Sequence, residues 1–516
     1  MRQPSFPCRP PSPWMGLAAI LVPWVLSPAL AADFSSSELE EAFRAGMSVE
    51  DADEAAGPTA AGPTTTLAAA VEEGTVILQD GDTPAGANGP VTSLNAPFTN
   101  GLGQVGFTGG ADDGSGGADN FVWFNTGIAL LDADIITPTL TGAESTMGVG
   151  NGGEFIYSPS VDGDDAVWTH NGLLQVEGTQ APGFAAGVNN TFNSRPQMRP
   201  NGQSYWVSGF NETGGITTQG RVLYTSSDST PGNISIVLRS DDMIGGFMIA
   251  RPSGIGFDYA FSDNGAHHIQ SLLMDTGSTV DDGFLYVDGV LVAREGSPSG
   301  SGDNWDNFDN VSIDNAGNYL FSGDTDGSPS SDEFIAYSGV IAVREGDILD
   351  GQPLSNPTTI HALSLNNFGQ AVHLWSIAGG SSEHLFFACD ASDLAGSSVL
   401  VLSTGDSLDL DGDGFNDATV TDFNASEIIG PGLSLAEDGF LYVEVNLDEG
   451  AGDLESVLRI ELPSCDSGPV AAPVLSPAGT VLLSLMLVVI AFTTLRGRGS
   501  VLSHLKRYAI KQKIQS

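Results

Sequence analysis

A glycine that recurs seven times constrains this chain more than any other feature. The stretch "NGLGQVGF" at residues 100–107 returns as "DNAGNYLF" at 314–321 and as "NNFGQAVH" at 366–373. Alignment on its fourth residue picks out Gly103, Gly153, Gly202, Gly265, Gly317, Gly369 and Gly439, separated by 50, 49, 63, 52, 52 and 70 residues. A period near fifty residues belongs to propeller blades and solenoid rungs. Asn or Asp at the first position of a turn, with glycine three residues later, suits a type I turn whose last residue takes positive φ. Beyond each turn apolar residues alternate. Val105 with Phe107, Phe155 with Tyr157, Tyr319 with Phe321 and Leu441 with Val443 fall on one face, which predicts half-buried strands.

Other strands surround each cassette. A lead strand precedes it, as in "VILQDGD" from Val76, "LVAREG" from Leu291 and "IAVREGD" from Ile341. An aromatic strand follows, as in "FVWF" from Phe121, "FLYV" from Phe284 and "LFFA" from Leu385. Several aromatic strands join the next lead strand through "NG", "DG" or "SG", dipeptides suited to tight hairpins. Lead, pre-turn, post-turn and aromatic strands make four per unit. Seven such units over 75–463 predict an all-β fold, a seven-bladed β-propeller. A β-solenoid or tandem sandwiches would also give regular strands, with a different number per period. The 66 glycines and 28 prolines fit a chain of many short strands and turns.

The cassettes resemble the bacterial "choice-of-anchor tandem repeat NxxGxxxF-containing" proteins. Asn100, Gly103 and Phe107 match the pattern in full, whereas other copies keep the glycine and vary at the ends: Asp314 and Phe321, Asn366 and His373, Arg199 and Trp206. The resemblance implies display at the cell surface and carries no established biochemical activity.

The two ends of the chain read as targeting segments. Residues 1–31 form an expected secretory signal: Arg2 and Arg9 precede the apolar run "GLAAILVPWVL", which closes on the small-residue site at Ala29–Ala31. Residues 32–74 read as a short helix opened by Ser37 and Glu40 as a capping box, followed by a Pro/Ala/Thr linker. After a linker at 464–479, residues 480–495 are expected to cross a membrane once, leaving the basic tail 496–516 in the cytoplasm. The segment "PVLSPAGTVLLSLMLVVIAFTTLRGR" resembles PEP-CTERM and IPTL-CTERM sorting signals, which implies a membrane sorting protease as a partner. It departs from them in lacking a tryptophan and in its long tail; a plain transmembrane anchor is the alternative.

Charge is unevenly distributed. Of the 17 basic residues, two lie in the signal and six beyond Leu495, which leaves nine arginines and no lysine against all 64 acidic residues. Such a body repels phosphate, so nucleic acid is excluded as a partner and divalent cations are natural counter-ions. Acidity that merely keeps an exported protein soluble explains the charge equally well. Cys8 falls within the signal, which leaves Cys389 and Cys465 free to pair or to stay reduced.

One loop has the chemistry of a cation site. In "DLDGDGFND" (409–417), oxygens at alternate positions and a glycine at the sixth suit Ca²⁺, a hard ion that takes only oxygen ligands. The candidate ligands are Asp409, Asp411, Asp413, the Phe415 carbonyl and Asp417. The twelfth position is Val420, where an EF-hand has its bidentate glutamate. The loop is similar instead to the calcium hairpins of FG-GAP repeats in integrin alpha propellers, which implies a structural ion. An acidic loop without an ion is the alternative. Acids at the ends of the lead strands, such as Asp82, Glu177, Asp241, Glu295, Glu345, Asp347 and Asp406, could ring one end of the propeller or serve as turn residues. The histidines of the body show no metal-ligand spacing, and no nucleophile elbow or phosphate loop occurs. The expected function is therefore binding, adhesion or envelope interaction with an extracellular glycan or protein. The alternatives are a secreted enzyme acting on polysaccharide and a structural coat component.

Overall fold

The computed structural model describes residues 74–465, except 136, 143–145, 216, 355–358, 378–381, 425–432 and 451. The segments expected to be a signal, an N-terminal helix, a sorting motif and an anchor lie outside the described residues. Among the described residues no helix is long and apolar enough to cross a membrane.

The strands assemble into seven antiparallel blades. Blade 3 shows the plan: Asn189–Met198 is innermost, then Ser204–Asn211, Gly220–Ser226 and finally Ile234–Arg239 at the outer edge. Each cassette is the hairpin between the innermost and second strands, and all seven cassette glycines have positive φ, from +67° to +92°. In every copy the glycine N–H returns to the carbonyl three residues earlier. In six the first residue's N–H also reaches the carbonyl four residues on, which is a type I turn with a glycine bulge.

The sequence units and the blades are offset by one strand. Each aromatic strand pairs with the following lead strand, through a two-residue hairpin in blades 4 and 5 and a longer connection in blade 3, so the lead strand forms the outer edge of the preceding blade rather than opening a new one. One such strand remains at the chain's start. Thr75–Gln79 pairs with Asp453–Glu461, from Thr75↔Arg459 to Gln79↔Ser456, and completes blade 7. The ring is thus closed by strands from opposite ends of the propeller.

The expectation of half-buried strands fails for the second strands. Ser204–Asn211 and Ala371–Ile377 are buried on both faces, because each blade is covered on both sides by its neighbours. Seven separate apolar clusters fill the seven interfaces between adjacent blades. The one spanning the closure joins Leu78, Phe107 and Trp123 with Tyr442 and Val457. The residue four beyond each cassette glycine sits in this packing: Phe107, Tyr157, Trp206, Ile269, Phe321, His373 and Val443 are all buried. His373 fits because Trp375 Nε1 donates to its Nδ1 at 2.8 Å and Ser398 Oγ meets its Nε2 at 3.0 Å. Burial holds its pKa down to about 3, so the ring stays neutral.

Cys389 and Cys465 form a disulfide. It ties the cassette end of blade 6 to the segment following the last strand of blade 7.

Candidate functional site

The acidic loop joins Ser407–Leu408 to Ala418–Phe423 in blade 7. Carboxylate oxygens of Asp409, Asp411 and Asp413 lie within 4.8 Å of one another. Oxygens about 2.4 Å from a shared Ca²⁺ are separated by no more than about this distance, so the three fit one ion. The turn chemistry sets them there. Asp409 accepts N–H groups from Gly412 and Gly414, both at 2.7 Å, and the two glycines take φ of +75° and +88°. Those N–H groups, Gly414 first, hold the Asp409 carboxyl below its ordinary range. Asp411 and Asp413 accept the N–H groups of Asp413 and Phe415.

Asp417 is not among these three, and Phe415 enters the ligand set only through its backbone carbonyl. Asp417 turns back and accepts the Leu410 N–H at 2.8 Å, closing the loop, and the Phe415 side chain is 74% exposed. The missing twelfth-position glutamate has a physical reason: Val420 is fully buried in the core between blades 6 and 7. The Asp409 carbonyl also accepts the N–H of Gly74, just ahead of the closing strand. An ion here would brace the place where the ring closes.

Acids at the ends of the lead strands take local roles on the outer edge of the blades. Asp82, Asp347 and Asp406 accept N–H groups from Gln79, Arg344 and Ser403 within their own turns. Glu295 accepts the Gly283 N–H.

The seven cassettes surround one mouth of a central channel, and hydrogen bonds pass from each to the next around the whole circle. Asn100 Nδ2 donates to Gly150 O at 2.9 Å, and Asn151 N to Pro200 O at 2.8 Å. Arg199 donates through Nε and Nη2 to Asp263 O. Asn264 N donates to Asn315 Oδ1 at 2.7 Å, Asn315 N to Asn367 Oδ1 at 2.8 Å, and Asn367 N to Glu437 Oε1 at 2.9 Å. Tyr442 Oη then donates to Gly103 O at 3.0 Å and completes the ring. Asn367 Nδ2 also reaches Asp263 at 2.9 Å and Glu437 at 2.7 Å, and burial raises the pKa of both acids. The Asn that follows the first cassette residue in "DNAG" and "NNFG" was the sequence signal for this ring.

Behind the mouth the channel is lined by residues of all seven innermost strands and has a cavity of about 250 Å³. Blades 2 to 4 contribute Met147, Arg195, Met198, Phe257 and Tyr259. Across the bore stand Thr99, Asn310, Ser364 and Ser434.

At the far end of the blades, acids replace amides. Glu333, Glu383 and Glu455 stand at the start of the third strands of blades 5, 6 and 7. Each accepts an N–H from the next blade: Ile360 at 3.0 Å, Phe423 at 2.8 Å and Leu94 at 2.7 Å. Each has an acidic neighbour. Burial and Asp324 raise Glu333, and burial together with Asp422 raises Glu383. Burial and Glu455 push Glu444 up to about 9. These carboxyls hold protons that exposed acids would have lost.

No family model matches the chain, and no curated protein matches it. Several solved structures are distantly similar. The apo prolyl oligopeptidase B of Galerina marginata is 10% identical, with TM-score 0.36, over 73% of this chain and 52% of its own. An oligogalacturonate lyase in complex with manganese is 9% identical, with TM-score 0.34, over 71% and 99%. PorZ, a surface component of the type-IX secretion system of Porphyromonas gingivalis, is 14% identical, with TM-score 0.32, over 68% and 51%. The chain spans about half the length of the peptidase and of PorZ.

Proposed function

We propose that this is an exported, surface-anchored binding propeller of the NxxGxxxF type, supported by Ca²⁺ in its seventh blade and engaging an envelope or matrix component. The observation that carries the reading is the channel wall. Amides, hydroxyls and aromatic rings from six of the seven blades converge there, with Asp258 as the single acid and Arg195 as the single base among the described lining residues. Such a set holds a ligand in orientation. Glycoside hydrolysis requires two carboxyls flanking the scissile bond. The disulfide suits an oxidising compartment, which supports export. The apolar segment 480–495 and the basic tail support the anchor.

A second reading has its own observation. Asp263 and Glu437 both bond the same Asn367 amide at the channel mouth, and both are raised by burial, as a catalytic acid would be. The test is adherence of the full chain to envelope fragments and polysaccharide, with reducing ends assayed in parallel. The binding reading expects adherence without sugar release, lowered by chelator and by Asp411→Ala with Asp413→Ala. Release of fragments that Asp263→Asn abolishes would replace it with the enzyme. Self-association without adherence would replace it with the coat component.

A further inference from the structure

The disulfide fixes where the rest of the chain leaves the propeller. Cys465, the last described residue, is bonded to Cys389 with 5.4 Å between their Cα atoms, and Gln370 Nε2 donates to its sulfur at 3.0 Å. Residues 466–516 continue from this point, at the cassette end of blade 6.

Beside that exit, blade 5 has an open edge. Val340–Arg344 is its outermost strand and, among the described residues, pairs with Phe334–Tyr337 alone. Such a strand carries backbone N–H and C=O groups on its unpaired side. Its apolar side chains are poorly covered: Val340 is 70% exposed, and Ile341 and Ala342 are half-buried. A groove lies on each face. One of about 470 Å³ runs between the strand and residues 299–301, in the connection from blade 4. The other, of about 370 Å³, lies between the strand and Leu394 and Ala395 of a short helix in blade 6. Val340, Ile341 and Ala342 line both.

Reach, charge and proline spacing select the occupant. Cys389 lies three residues before Ser392, which lines the second groove, and three residues span at most about 11 Å. The segment "SGPVAAPVLSPAG" (467–479) therefore begins close to the groove, and it has no charged residue. The acids Asp347 and Asp393 border the two grooves and disfavour the acidic N-terminal segment. A second copy of a chain of net charge -47 is repelled for the same reason.

Prolines stand at 469, 473 and 477. In a strand, alternate residues direct their N–H groups to opposite edges, so the three missing donors share one edge. Val470, Ala472, Val474 and Ser476 keep theirs on the other. Proline on the outward edge also stops further strands from adding. Gly468, Ala472 and Ser476 each precede a proline, which biases them to extended backbone. The same alternation sends Val470 and Val474 to one face and Leu475 to the other. The register shift that leaves Ala342 as an extra residue keeps the pairing short, so the apolar grooves carry most of the contact.

We infer that residues 469–477 lie as an added strand along Val340–Arg344 of blade 5, with Val470 and Val474 in one groove and Leu475 in the other. Ser338 N donates to Tyr319 O, which puts the hairpin before Val340 at the cassette end. A segment entering there runs parallel to the edge strand, from Val340 toward Arg344. The stretch expected to cross the membrane, 480–495, then emerges at the far end, and the channel mouth with its cassettes faces away from the membrane. This goes beyond the binding reading and does not rest on it.

The test is amide hydrogen exchange of the full chain in detergent. Wild type is compared with Val340→Glu, at an exposed position, and with Val474→Asp, outside the propeller. Exchange at Val470 and Ala472 is expected to be at least ten-fold slower in wild type than in either variant, with the cassette N–H groups of Phe368 and Gln370 unchanged. Should Val340→Glu disturb blade 5, Val474→Asp decides. Unprotected amides in wild type, or equal protection in wild type and Val474→Asp, overturns the inference. Protection that grows with protein concentration, with a doubled mass by light scattering, overturns it in favour of a second copy. Adherence to envelope fragments is read on the same chains: wild type that adheres to nothing strikes the binding reading and leaves the added strand standing.

Discussion

The two ends of the propeller are joined by different chemistry. At the cassette end, seven turns pass hydrogen bonds around a circle through backbone groups, asparagines, an arginine and a tyrosine, with the carboxylates of Glu437 and Asp263 both accepting from Asn367. At the far end, blades 5, 6 and 7 reach their neighbours through the half-buried Glu333 and Glu455 and the buried Glu383, each beside another acid. Interfaces 2/3 and 3/4 use Asn193 and Arg221 there, each donating to a backbone carbonyl. Apart from the link through Glu437, whose carboxyl burial raises, the ring is made of groups that do not titrate between pH 5 and 9, and that end is the steadier of the two over the range. Paired carboxyls give an end that weakens as protons leave.

The largest effect that separates the ends is expected from the disulfide, which belongs to the cassette end, where Gln370 of the sixth cassette also contacts Cys465. It closes a loop with a sequence separation of 76, for which chain entropy gives about 4 kcal/mol. Reduction, or Cys389→Ser, should lower the unfolding free energy by about that much at pH 6 and at pH 9 alike, measured by denaturant titration. A loss confined to one pH would break the comparison.

Next is the turn cap. Asn366 Oδ1 accepts N–H groups from Phe368 and Gln370, and Asp314 Oδ1 does the same for Ala316 and Asn318. Asn366→Ala leaves two N–H groups without their acceptor and should cost about 2–3 kcal/mol, again independently of pH. Asp314→Asn, which keeps an acceptor in place, should cost less than about 1 kcal/mol. Equal losses from the two substitutions would show that the turns are held by packing rather than by these bonds.

The smallest effect concerns the acids. Glu444 is raised from its ordinary 4.5 to about 9, so the folded chain holds a proton that the unfolded chain releases. Its contribution is complete at pH 4 and is lost as pH rises from about 4.5 to about 9. Glu444→Gln removes that dependence. The variant should match wild type near pH 5 and be the more stable of the two at pH 9, as read from unfolding curves. A variant less stable than wild type at both values would show that Glu444 is held as a charged partner.

Much of this architecture was legible because it is local. A turn of four residues, a glycine at positive φ and a tight hairpin are written in adjacent positions, and they repeat. What escaped depends on partners far apart in sequence. Asn264 meets Asn315, Asn315 meets Asn367, and Asn367 meets Glu437, at separations of 51, 52 and 70 residues. No local pattern shows that these turns touch. The pattern suggesting half-buried strands misled for the same reason, since alternation along one strand says nothing about a second sheet covering its other face. In the acidic loop, alternate spacing is reflected in the proximity of Asp409, Asp411 and Asp413, but it could not show that Asp417 turns back to Leu410. Arg195 carries no motif at all. Its place follows from a bulge and from seven strands meeting around one axis.

Amide hydrogen exchange of the full chain at pH 6 and pH 9, corrected for intrinsic rates, tests the contrast between the ends most directly. The N–H groups of Phe368, Gln370, Ala316 and Asn318 report on the cassette end, and those of Ile360, Phe423 and Leu94 on the acid end. Protection of the first four should be unchanged between the two pH values while protection of the other three falls at pH 9. A fall shared equally by both sets, or none in either, would contradict the division of the ring into a steady end and a titrating one.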